Sequence, residues 1–160
     1  MPSKKPVVLG LAVGGVGLVV AAALTMPQVV DWYQGRHLAE AEYASGGEAK
    51  RARHSVPRWL PDEATAVKYR MSTTGGDRLL KATLADGKLP AGCTAGAAGS
   101  GRAHLRADWF PKGTDKEGTA ACGAYNVVIK GNELYAWQDH ADWVRGNKAD
   151  QEDRAGSDAP

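Results

Sequence analysis

The chain has a single phenylalanine and two cysteines in 160 residues, and no stretch in which one sign of charge dominates. Setting aside Lys4 and Lys5, the other 18 basic residues balance the 18 acidic ones. With no arginine-rich stripe or basic helix, nucleic acid is a poor partner class. No Gly-Lys-Ser or Gly-Lys-Thr closes a glycine-rich run, so a phosphate loop is absent. Neither Cys93 nor Cys122 has a second Cys or a His at ligand spacing, which argues against a metal site. Ser100, in Gly99-Ser100-Gly101, lacks the strand-turn-helix setting of a nucleophile elbow. His140 stands in Asp139-His140-Ala141-Asp142, but adjacent residues do not share a face, and the group reads as a segment end. His104 falls on the polar side of an alternating stretch, and the pairs Asp62/Glu63 and Asp115/Glu117 read as surface charge in turns. No catalytic residue, metal or cofactor is expected, and an enzyme is not.

What the chain does contain is an apolar run. Val7 to Met26 carries no charge over 20 residues, with Lys4 and Lys5 before it and Pro27, Trp32 and Tyr33 after it. At about 1.5 Å per residue a helix of that length crosses a hydrocarbon core of roughly 30 Å. The flanking lysines predict residues 1–6 in the cytoplasm and the C-terminal part outside the cell membrane, a single pass. A cleaved signal with a cut after Ala23 is the rival, and it exports the same domain. Gly10, Gly14, Gly17 and Ala21 recur on one helical face, a stripe that would admit a membrane-protein partner or a second copy.

In an exported domain Cys93 and Cys122 can form a disulfide, with two buried thiols as the alternative. Closing that loop would disfavour the unfolded chain by about 3 to 4 kcal/mol.

Residues 27–54 read as a membrane-proximal stalk, helical from Gln28 to about Ala44 and ended by Gly46-Gly47. A folded domain is expected over 55–146, entered through Val56-Pro57-Arg58-Trp59-Leu60-Pro61 in extended form. Ala66–Thr74 and Asp77–Leu84 predict a hairpin around Gly75-Gly76, pairing Met71 with Leu80, Tyr69 with Ala82 and Val67 with Leu84. A second hairpin around Gly131-Asn132 sets Lys130 opposite Glu133, Ile129 opposite Leu134 and Val128 opposite Tyr135. Between them Ala103, Leu105, Ala107 and Trp109 alternate with polar residues as a half-buried strand would. A short helix from Asp139 to Gly146 and a disordered tail over 147–160 complete the expectation. The fold class is α+β: an N-terminal transmembrane helix and helical stalk before a small, mainly antiparallel sheet domain.

Five tryptophans remain. Trp109 and Trp137 lie on expected strands and belong to the core, whereas Trp59 and Trp143 are candidates for a partner or ligand contact. Trp59-Leu60-Pro61-Asp62-Glu63-Ala64-Thr65, Thr73-Thr74-Gly75-Gly76-Asp77-Arg78-Leu79-Leu80, the two cysteines and Tyr135-Ala136-Trp137 together resemble a group of uncharacterised small membrane proteins of actinobacteria. The resemblance covers residues 48–145 and implies location and a shared domain, with no activity to transfer. The sequence points to a membrane-anchored extracytoplasmic accessory or protein-interaction module. The runner-up is an exported domain that binds a small ligand or a cell-wall component, with Trp59 or Trp143 at the mouth of a pocket.

Overall fold

The computed structural model describes residues 37–157. In chain order they form β1 (Leu38–Ser45), α1 (Gly46–Ala52), β2 (Thr65–Ser72), β3 (Arg78–Thr83), β4 (Cys93–Ala95), β5 (Ala120–Cys122), β6 (Tyr125–Lys130), β7 (Glu133–Gln138) and α2 (His140–Ser157). All seven strands join one antiparallel sheet in the order β1-β2-β3-β7-β6-β5-β4. Two runs of consecutive strands thus meet at a seam between β3 and β7.

The β6–β7 hairpin has the expected register, Lys130 to Glu133, Ile129 to Leu134 and Val128 to Tyr135. Gly131 provides the left-handed φ of +63° that the two-residue turn requires. At the first hairpin the faces are as expected but the register is two residues away, with Tyr69 opposite Leu80 and Met71 opposite Arg78. The turn is longer than Gly75-Gly76 alone. Arg78 donates to the carbonyls of Ser72, Gly75 and Asp77, and Gln138 Nε2 donates to Gly76 O at 2.6 Å, so a wider loop is held in place. A shift of two preserves alternation, and Val67, Tyr69, Leu80, Ala82 and Leu84 still share one buried face. A bulge between Thr65 and Lys68, with Ala66 at φ +49°, re-aims the start of β2.

Both faces of the sheet are covered by the chain itself. On the first, α1 and the segment 53–64 place Ala49, Val56, Leu60 and Ala64 over Val67, Tyr69, Leu80, Val127 and Leu134. On the second, Leu79, Val128, Tyr135 and Trp137 are covered by Phe110 and by Ala103, Leu105, Ala107 and Trp109. Fully burying one large apolar side chain of this kind stabilises by about 1.5 to 3 kcal/mol.

Further sequence expectations are overturned. The class is mostly β rather than α+β, and there is no helical stalk among the described residues: Leu38–Ser45 is an edge strand. Alanine and glutamate favour a helix locally, but Glu40 and Glu42 lie opposite Arg70 and Lys68 and pair with them at 3.3 and 2.8 Å. Gly46-Gly47 begins a helix instead of ending one. Ser45 Oγ caps the Glu48 N–H, and a Cβ on Gly46 would lie 1.9 Å from the Pro61 carbonyl oxygen, so only glycine permits that approach. Residues 103–109 are not a strand. Their alternate burial comes from an unpaired segment laid across the second face, because alternation reports which side chains face inward and not whether a ladder forms.

The helix expected at 139–146 runs on through Ser157, across most of the tail expected to be disordered. That stretch is polar but free of Gly and Pro from Asn147 to Ala155, and helix formation does not itself need an apolar face. Among the described residues no helix is long and apolar enough to cross a membrane. The anchor expected at 7–26, with Gly10, Gly14, Gly17 and Ala21, lies outside the described residues.

Candidate functional site

The prolines at 57 and 61 turn the chain twice over the first sheet face. Leu60 N donates to Pro57 O at 3.3 Å and Ala64 N to Pro61 O at 3.2 Å, which sends Val56, Leu60 and Ala64 inward. Trp59 is left half-buried beside them, its ring edge-on to Tyr125 at 5.6 Å. Lys50 ties α1 to this turn by donating to Leu60 O at 2.6 Å and pairing with Asp62 at 2.7 Å. Its hydrogen bond and charge hold the Asp62 carboxyl below the usual range.

Trp59 thereby forms one wall of a groove of about 640 Å³, with Leu60, Leu84, Leu89 and Pro90 supplying further apolar surface. Its charged rim is nearly self-neutralised. Lys50 pairs with Asp62 and Lys88 with Asp86 at 3.3 Å, which leaves Arg58 and Glu63, one charge of each sign, at the opening. The Trp59 Nε1 atom is buried and has no hydrogen-bond partner among the described residues. An unpaired buried donor costs about 1 to 3 kcal/mol, a cost that an acceptor oxygen reaching it would recover.

Trp143, the other candidate, does not line this groove. It sits on the first turn of α2, 40% exposed, stacked on His140 at 5.7 Å and packed on Gly76, where a Cβ would come within 2.6 Å of its own. Trp137 is fully in the core, as expected. Trp109 reaches the second cluster but is only half-buried, and its Nε1 donates to Glu40 Oε1 at 2.6 Å. It borders a second and larger groove of about 870 Å³, between β1 and the segment 103–116.

The structure brings His140 near a serine and an aspartate that sequence reasoning had no way to connect. Ser72 Oγ, Asp77 Oδ2 and His140 Nδ1 all surround Gly75. They do not form a nucleophile and base. His140 Nδ1 accepts from Gly76 N–H at 3.1 Å, while Ser72 Oγ is engaged with Thr74. Asp139 and Asp142 serve the start of α2: Asp139 Oδ1 accepts from Asp142 N–H at 2.6 Å, and Asp142 Oδ2 accepts from Asn126 Nδ2 at 3.2 Å. His104 and His54 are exposed, and among the described residues no three metal-ligating side chains come together.

The two cysteines are bonded. Cys93 and Cys122 lie directly opposite on β4 and β5, with Cα atoms 4.2 Å apart. Trp59 shows what the sequence could not reveal about its own site: the ring packs on Tyr125, more than sixty positions away, and the groove wall beside it comes from Leu84, Leu89 and Pro90 beyond β3. No protein family, curated protein or solved structure matches this chain.

Proposed function

We propose that this chain is an exported binding module without catalytic activity, held at the outer face of the cell membrane by its apolar N-terminal segment, with the Trp59 groove as its contact site. The observation that carries the reading is the pairing of two covered sheet faces with a concave groove whose wall is Trp59 and whose charged rim is balanced. A groove with an apolar wall, a donor in need of an acceptor and a balanced charged rim suits a neutral, oxygen-rich ligand such as a cell-wall glycan. The Cys93–Cys122 bond supports export, since such bonds persist in oxidising compartments.

The test is co-sedimentation of the full chain with purified cell-wall glycan. Wild type is expected in the pellet and Trp59→Ala in the supernatant, with Trp143→Ala behaving as wild type. Equal recovery of Trp59→Ala and wild type would remove the groove from the function.

A further inference from the structure

The second groove differs from the first in charge. Around Trp109 the Arg70–Glu40 pair at 3.3 Å cancels, and the groove's Asp115 is met at 3.8 Å by Arg102, which lies just outside the lining. Arg106, Lys112 and Lys116 remain, all exposed and with no acidic side chain bonded to them among the described residues, against Asp108 alone. The Trp59 groove sets only Arg58 against Glu63 after the same subtraction. The Trp109 groove is therefore a cationic surface with a half-buried indole at its edge.

Its position along the chain matters as much as its sign. One wall is Glu40 of β1, the first strand, and Leu38 follows Met26 by twelve positions. A fully extended chain of that length spans at most about 40 Å. If Val7 to Met26 is held in the bilayer, the start of β1 cannot leave the vicinity of the membrane surface.

We propose that the Trp109 groove is a docking surface for the anionic headgroups of the bilayer outside which the domain is tethered. Arg106, Lys112 and Lys116 supply the attraction, and Trp109 is an aromatic of the type that settles at the headgroup level. Each cation near an anionic surface strengthens association about fivefold, so the three together, opposed by Asp108, contribute about 25-fold. The attraction falls with salt, because exposed charges are screened beyond about 8 Å at physiological ionic strength. This inference rests on the membrane-held reading of the chain, and its test separates the two.

The full chain is reconstituted with vesicles of phosphatidylcholine alone or with three parts in ten phosphatidylglycerol, and amide hydrogen exchange is followed over 103–116. Retention on pure phosphatidylcholine vesicles through an alkaline wash reports the anchor. Protection of 103–116 that requires phosphatidylglycerol reports the groove. The expected result is such protection, lost in high salt and in the triple variant Arg106→Gln/Lys112→Gln/Lys116→Gln, with the Trp59 segment unchanged between vesicles. Equal exchange in the two vesicle types would overturn the groove assignment even where the anchor holds. Failure of the wash test with intact phosphatidylglycerol protection would overturn only the anchor. Protection by soluble polyphosphate over phosphatidylcholine vesicles, with none from phosphatidylglycerol, would assign the groove to an anionic polymer and refute the lipid assignment.

Discussion

Replacing Phe110 with alanine tests whether the second sheet face is a true core. The ring is 8% exposed and meets Tyr135 at 5.8 Å, Trp109 at 6.2 Å and Trp137 at 6.3 Å, edge-on in each case. Buried Phe→Ala changes cost about 3 to 5 kcal/mol, including the edge-to-face attraction that the ring supplies. The covering segment is not tied down by a strand ladder and can partly collapse into the gap, so the low end, about 3 kcal/mol, is expected. With a urea slope of about 2 kcal/mol per molar, the midpoint should fall by about 1.5 M. A domain of ordinary stability, about 5 to 15 kcal/mol, stays folded without denaturant. The assay is urea titration of the full chain by tryptophan fluorescence, in which Trp137 beside the cavity reports directly. A fall of less than about 0.5 M at unchanged slope would show that Phe110 only rests on the sheet, and the two-faced core would be wrong.

Two further outcomes are expected. Cys93→Ser/Cys122→Ser opens a loop of sequence separation 29, which should cost about 3 to 4 kcal/mol in chain entropy; an unchanged urea midpoint would refute it. Lys81, 2.7 Å from Glu133, holds that carboxyl below its ordinary value with help from Thr83, and Glu133 in turn raises Lys81. A depressed carboxyl contributes stability that is complete above about 4.5 and fades as pH falls through its folded value, whereas a raised ammonium contributes until pH climbs past about 10.5. Glu133→Gln should therefore lose melting temperature relative to wild type at pH 6 and converge with it toward pH 3; parallel curves over that range would sink the assignment.

The parts of the fold legible in the sequence are those whose information is local. Gly131-Asn132 and its flanking residues fix their own register, so the β6–β7 hairpin could be read outright. The first hairpin could be read only to its faces, because its loop is shaped by Gln138 and His140, more than sixty positions away. β1 was hidden for the same reason: LAEAEYAS satisfies both helical propensity and strand alternation, and only Arg70 and Lys68 decide between them. The Trp59 groove was legible as a tryptophan to watch but not as a shape. Its rim comes from α1, the proline turns and the segment after β3, which no spacing within one stretch could reveal.

The seam in the sheet sets how the chain must fold. β1, β2 and β3 can zip up one after another, and so can β4, β5, β6 and β7, each from neighbours in sequence. Joining β3 to β7 closes a span from Arg78 to Gln138 and, among the described strands, is the one pairing between strands that are not consecutive in the chain. Ordering a long span costs entropy before its contacts repay it, which makes this docking the natural slow step. The Cys93–Cys122 bond lies wholly inside the second run and does not cross the seam. Oxidation therefore prepares one half of the molecule for assembly, and the halves must still find each other through Leu80 against Ala136 and Leu79 against Trp137.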